Sequence, residues 1–199
     1  MTTPSFTCDW FTSAAILGPG RWEKHVLPLL RRFEAVSWLE VGAHEGRSAL
    51  WAAENIVRGP GAAVTCVDAW EYPWLNDVVE RRFDANVAGQ PLIKKLKGRS
   101  CDVLPRLPPA SFQGIYVDGS HELEDVVHDA GQAMRLVVPG GVLVFDDYQH
   151  CWNDGSPLAD GEVIQSPGVR EAAARLLRER GDELRIVYCG WQLILQVRG

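Results

Sequence analysis

The stretch Val36-Ser37-Trp38-Leu39-Glu40-Val41-Gly42-Ala43-His44-Glu45-Gly46-Arg47-Ser48 decides the fold. An apolar run ends at a carboxylate, turns through glycines at 42 and 46, and gives way to a helical pattern over residues 47–58. A strand feeding a glycine turn and then a helix is the first half of a βαβ unit. The alternation repeats downstream. Residues 63–68, 92–97, 114–118 and 141–146 read as strands. Residues 75–88, 121–137 and 169–180 carry apolar side chains at helical spacing, as in Val126, Val127, Ala130, Ala133, Met134 and Val137. Such alternation builds a mainly parallel sheet. The last two runs, 183–189 and 191–197, leave only Gly190 between them, too little for a crossover helix, so they pair as an antiparallel hairpin. The expectation is an α/β fold: a mainly parallel seven-stranded sheet, helices on both faces and a C-terminal antiparallel hairpin.

At 199 residues with 46% apolar and 23% charged residues, the chain has the composition of one globular domain with a core of its own. The expected organisation is a single domain over 1–199, with residues 1–35 a cap over the site or a dimer contact and residues 36–197 the core. Phe6, Trp10, Phe11, Ile16 and Leu17 supply the aromatic and aliphatic character of that N-terminal segment without a clear period. Twenty basic against 26 acidic residues give a net charge of −6, which disfavours nucleic acid as a partner. The five cysteines show no C-x-x-C spacing, so neither a disulfide framework nor a cysteine-rich zinc site is expected and the reducing cytoplasm is the expected compartment. No apolar stretch approaches the ~20 residues that span a bilayer, and no secretory signal pattern opens the chain. Residues 149–168, rich in Gly, Pro, Asp and Ser, read as a long loop of the kind that forms lids.

Acidic residues mark the strand ends. Glu40 precedes the glycine turn, and Gly42 and Gly46 let the backbone pass close to a ligand. Their G-x-x-x-G spacing is not that of a dinucleotide loop, nor is there a Walker lysine, so pyrophosphate and nucleoside triphosphates are disfavoured. Asp68 ends the second run, where a carboxylate can accept both hydroxyls of a ribose; a turn or cap aspartate is the alternative. Asp118, Asp146 and Asp147 end two further runs. If those strands are neighbours, three carboxylates meet at one mouth, where their repulsion calls for a cation such as Mg²⁺ or for raised pKa values. His121, three residues after Asp118, is the candidate general base, with helix capping as its structural alternative and His150 in reserve. Trp38 and Trp51 read as core. Trp70, Trp74 and Trp152 follow strand tips and are candidates to line a pocket.

In combination these motifs resemble the class I S-adenosylmethionine-dependent methyltransferases. The closest likeness is to the small metal-dependent O-methyltransferases with D-G-S-H (118–121) and D-D-Y (146–148) elements, over about residues 36–197. The resemblance implies a Rossmann-like fold and S-adenosylmethionine as cofactor. It implies that Glu40, Gly42, Ala43, Gly46 and Ser48 hold the methionine part, that Asp68 binds the ribose, and that Ala69 and Trp70 lie near the adenine. The loop Gly98-Arg99-Ser100-Cys101-Asp102-Val103-Leu104-Pro105 would contact adenine through Ser100 and Cys101, and Asp118 would border the cofactor. The metal-dependent members hold a divalent ion, magnesium or another of its kind, at positions that here read Asp118, Asp146 and Asp147. Their catalytic lysine corresponds to His121, a departure; the acidic base of related sugar and antibiotic enzymes would fall on Ser120. The implied reaction is methyl transfer to a hydroxyl of a small molecule. A cofactor- or partner-binding module of the same fold, dimeric through its aromatic N-terminus, is the competing reading. A metal-dependent hydrolase would need a second shell of His or Asp ligands that the chain does not offer.

Overall fold

The computed structural model describes residues 3–7, 11–12, 18–71, 78–148 and 167–199. Seven strands, β1 (Trp38–Val41), β2 (Val64–Asp68), β3 (Ile93–Lys97), β4 (Phe112–Val117), β5 (Val137–Phe145), β6 (Leu184–Cys189) and β7 (Leu193–Val197), form one sheet in the order β3-β2-β1-β4-β5-β7-β6. The pairings from β3 through β5 are parallel, and β7 pairs antiparallel with both β5 and β6. The expected mainly parallel sheet with a closing hairpin is what forms.

Register decides where the site lies. Val67, Val41, Val117 and Phe145 pair in a row across β2, β1, β4 and β5. One residue further on, Asp68, Gly42, Asp118 and Asp146 therefore stand at one edge of the sheet. Chain order reverses between β1 and β4, and ligands of open α/β sheets collect outside the carboxyl ends of strands at such a switch point.

The central strands β1, β2, β4 and β5 are buried on both faces, as parallel strands between helices must be, while the edge strands β3 and β6 are partly exposed. Leu39, Ile115, Val117, Leu143 and Phe145 face α6 (Leu123–Leu136) and α7 (Pro167–Arg180). Trp38, Cys66, Tyr116, Val144 and Ile194 face α3 (Arg47–Asn55) and the N-terminal helical segment. That segment comprises α1 (Gly18–Arg21), a π-helical turn (Trp22–Val26) and α2 (Leu27–Leu30). Its Trp22, Val26 and Leu30 have no exposed surface, and Trp22 packs edge-on to Tyr116 with ring centroids 4.9 Å apart. Within the stretch read as a cap or dimer contact, these three side chains are thus spent on the chain's own core. Phe11 packs on Trp22 and Trp51; Trp10, Ile16 and Leu17 lie outside the described residues, as do Trp74, Trp152, His150 and nearly all of the 149–168 loop.

Several boundaries differ from the sequence reading by a few residues. α6 ends at Leu136, and Val137 already belongs to β5, where it pairs with Phe112 across a register shift; Gly140 at φ +79° carries the chain through it. The helix after β1 stops at Asn55. The remaining helices are α4 (Val78–Val87) and the single turn α5 (Ser100–Val103). Cys66, Cys101 and Cys189 are free thiols. Among the described residues no helix is long and apolar enough to cross a membrane.

Candidate active site

The β1 turn is shaped by what crosses it. Gly42 lies at φ +87°, and a Cβ there would overlap the Asp118 carbonyl at the β4 tip, so only glycine fits. Gly46, at φ +84°, caps the start of α3 against the Phe83 ring. Beneath the turn Glu40 is completely buried. Ser48 donates to its Oε1 at 2.6 Å, while Oε2 is buried without a hydrogen-bond partner. Burial pushes this carboxyl up to about 8, against the opposing effect of Ser48.

At the β2 tip, Asp68 accepts the backbone N–H of Trp70 at 2.6 Å through Oδ1 and that of His44 at 2.9 Å through Oδ2. These bonds tie the two turns together and hold the carboxylate in the wall of a cleft. Ala69 lines the same cleft. Trp70 does not: its ring packs on Phe83 and its Nε1–H donates to the His44 carbonyl at 2.9 Å, so its side chain belongs to the core. From β3, Gly98 and Ser100 border the cleft, whereas Cys101 is exposed and is not part of the wall. Ser100 also hydrogen-bonds Asp129 of α6, whose carboxyl burial pushes up to about 6.

The cleft has a volume of about 250 Å³ and runs from Asp68 and Gly98 past Gly42 to Asp118 and Ser120. A smaller pocket continues it along the β1 turn, bounded by Gly42, Ala43, Ser48 and Asp118 and covered by Phe6 and Arg47. Residues 3–7 lie across this turn. Thr7 donates to the Glu45 carboxylate through N at 2.7 Å and Oγ1 at 2.6 Å, Ser5 N donates to Asn86 Oδ1 at 2.8 Å, and the Arg47 guanidinium stacks over Phe6 at 4.3 Å. Phe6 belongs to the N-terminal segment expected as a cap over the site or a dimer contact, whereas Arg47 carried no sequence signal for this role.

Beside the cleft the carboxylates of β4 and β5 converge. Asp118, His121 and Asp147 bring ligand atoms within 4.8 Å of one another, and His121 Nε2 lies 2.9 Å from Asp147 Oδ2. Asp146 sits deeper, 4% exposed. Its Oδ2 accepts Tyr116 O–H in a very short hydrogen bond and Gln192 Nε2 at 3.1 Å, and its Oδ1 accepts the Asp147 N–H at 2.8 Å. Burial and the charges of Asp146 and Asp147 push Asp118 well above the ordinary carboxylate range; burial and Asp147 push Asp146 up to about 6. Tyr116 and Gln192 were missed in the sequence, although a glutamine second in the apolar run 191–197 was a visible anomaly. His44, Trp70 and Asp147, at the tips of β1, β2 and β5, all have left-handed backbone (φ +48°, +50° and +55°). Strain of this kind gathers where a fold holds a binding edge.

The donors present suit the two groups the resemblance implies. The buried unpartnered oxygen of Glu40 is an acceptor awaiting a donor such as an α-ammonium, and the wall where the Asp68 carboxylate stands among Gly42, Val67, Ala69 and Gly98 suits a nucleoside. Carboxylate oxygens with an imidazole at the rim suit a divalent cation.

A family model described as "Methyltransferase domain" matches residues 39–148. A provisionally named O-methyltransferase of Mycobacterium sp. (strain JLS) is 29% identical over 151 residues, covering 76% of this chain and 64% of its own length. One from Mycolicibacterium vanbaalenii is 30% identical over 142 residues, with coverage of 71% and 58%. The chain thus spans about six tenths of the length of these relatives. Among solved structures, the O-methyltransferase TomG from Streptomyces achromogenes, involved in tomaymycin synthesis and crystallised with S-adenosylmethionine, superposes with a TM-score of 0.64. It shares 22% identity, with 92% of this chain and 81% of that one covered, so this likeness bears on the fold.

Proposed function

Since the chain belongs to the methyltransferase domain family, whose model matches more than half its length, we propose that it is an S-adenosylmethionine-dependent O-methyltransferase acting on a hydroxyl of a small molecule. The observation that carries this reading is the row of Gly42, Asp68 and Asp118 that the strand register assembles at the switch point, with the buried Glu40 two residues behind Gly42 on β1. Relatives named as O-methyltransferases and a fold shared with a cofactor-bound enzyme of that class support it.

In this reading the cofactor lies along the cleft and supplies a methyl group on a sulfonium. Glu40 and Ser48 hold its methionine end, Asp68 its ribose, and Ala69 and Ser100 the adenine end. Trp70 and Cys101 take no part in it, because their side chains are turned to the core and to solvent and neither lines the cleft. Asp118, Asp146 and Asp147 supply the carboxylates for a divalent cation, magnesium by their oxygen character, which would orient the acceptor hydroxyl and lower its pKa. His121, on the open side of the cluster with 40% of its side chain exposed, is placed to take the hydroxyl proton. Phe6 and Arg47 close the inner end, which keeps water from the reacting groups. The compartment we assign is the cytoplasm.

The test is transfer of a labelled methyl group from S-adenosylmethionine to a panel of hydroxylated acceptors, with and without chelator. Label appearing on an acceptor oxygen supports the reading. Tight cofactor binding with no transfer to any acceptor would favour the binding-module alternative.

A further inference from the structure

Four buried polar side chains connect the N-terminal helical segment to the carboxylate cluster, and the function as argued so far uses only the last of them. Trp22 Nε1–H donates to Gln192 Oε1 at 3.1 Å; Gln192 Nε2 donates to Asp146 Oδ2 at 3.1 Å; Tyr116 O–H closes on the same Asp146 oxygen. Exposure along the chain is 0% at Trp22, 0% at Gln192, 1% at Tyr116 and 4% at Asp146. Resting on the reading of the carboxylates as a cation site, we propose that Trp22, Gln192 and Tyr116 are positioning residues of that site, acting through Asp146.

The chemistry of each group makes the chain directional. An indole N–H can only donate, so it claims the carbonyl oxygen of the Gln192 amide and leaves the NH₂ to face Asp146. The amide is thereby held in one of its two orientations. Asp146 Oδ2 is then met by two donors from separate segments, β4 and the residue just before β7, and Oδ1 by the Asp147 amide, so the carboxylate is held from three sides. The Tyr116 oxygen also lies 2.9 Å from Asp118 Oδ2, so one phenol spans the carboxylates at the tips of β4 and β5 and fixes their separation. Groups that hold metal-binding carboxylates in this way commonly govern affinity as strongly as some ligands do.

Packing alone does not call for these residues. An apolar side chain at 192 and a phenylalanine at 116 would fill the same volume without the desolvation that an amide and a phenol incur in a dry core. The π-helical turn serves the same end, since it begins at Trp22 and seats that ring against Tyr116 and Trp38. Trp22 and Gln192 both fall outside residues 39–148, so the relay joins segments flanking the family match to its centre.

The experiment titrates Mn²⁺ by electron paramagnetic resonance, and S-adenosylhomocysteine by calorimetry, into the wild type and the variants Tyr116→Phe, Gln192→Met and Trp22→Phe. Tyr116→Phe and Gln192→Met should weaken Mn²⁺ roughly 10- to 100-fold, with a smaller loss for Trp22→Phe, while S-adenosylhomocysteine affinity stays unchanged. Because Trp22→Phe keeps an aromatic ring in the core, it reports on the relay even if a larger change prevents folding. Unchanged Mn²⁺ affinity in folded variants, or equal loss of both ligands, would overturn the positioning role. A wild type that binds S-adenosylhomocysteine but no Mn²⁺ would overturn the cation reading beneath it, a result distinct from either.

Discussion

Replacing Glu40 with Gln preserves shape and the acceptor for Ser48 but removes the ionisable group, and the consequence for the ligand-free protein should depend on pH. Burial raises this carboxyl from 4.5 to about 8. Between those values the native state holds a proton that the unfolded chain has released, so stability is lost as pH rises through the window and levels off above the folded value. At about 1.4 kcal/mol per pH unit, the wild type should lose about 3 kcal/mol between about pH 5 and pH 7.5 that the Glu40→Gln variant keeps. For a chain of this size that corresponds to roughly 10 °C in Tm. Asp118, Asp129 and Asp146 are also raised and will move both proteins, so the quantity to follow is the difference between the two melting curves across pH. Saturating S-adenosylhomocysteine should narrow the difference, because an ammonium on the unpartnered Oε2 favours the ionised acid. Differential scanning calorimetry in matched buffers gives both curves. If they run parallel from about pH 5 to pH 8, Glu40 is ionised throughout and the argument from its burial is wrong.

S-adenosylhomocysteine at about 100 times its Kd should stabilise the folded protein by about 3 kcal/mol, and NAD should produce no shift in Tm; the reverse pattern would end the methyltransferase reading. Asp146→Asn should weaken Mg²⁺ binding and turnover while cofactor affinity holds, and full turnover after exhaustive chelation would remove the cation from catalysis. His121→Ala should lower kcat by about 10² to 10⁴ with cation affinity and Tm retained. A parallel fall in Mn²⁺ affinity would make His121 a ligand instead of a base, as its place among the converging ligand atoms also permits.

The sheet was legible because each βαβ unit announces itself twice, once in a short apolar run and again in a helical period. The strand-end residues followed because register converts similar run lengths into a common edge. Asp68 and Asp118 could thus be placed at strand ends from the runs alone, whereas their meeting along one cleft depends on the strand order, which the runs leave open. The N-terminal helical segment was not legible, and its geometry explains why. Its buried positions, Gly18, Trp22, Val26 and Leu30, recur every fourth residue, a period that drifts around a regular α-helix of 3.6 residues per turn. The wider π-helical turn from Trp22 to Val26 takes up that drift and keeps the stripe on one face, but nothing in the composition marks a π-turn in advance.

The same limit applies to side-chain direction at the site. Spacing put Asp146 and Asp147 together at a strand end, but adjacent residues point to opposite sides of the chain. Only the fold shows Asp147 turned toward His121 while Asp146 turns inward to Tyr116 and Gln192. Two neighbouring carboxylates of like sequence character therefore hold different duties, one at the rim where an acceptor would approach and one anchored in the core. Substitutions that only shorten or neutralise them should separate accordingly. A change at Asp147 should act on the ion and its substrate, whereas a change at Asp146 should also loosen the contact between β5, β7 and the N-terminal segment. Melting temperatures of Asp146→Asn and Asp147→Asn measured side by side would show it: the larger drop belongs at 146, and equal drops would mean that the inward hydrogen bonds of Asp146 contribute nothing the rim does not.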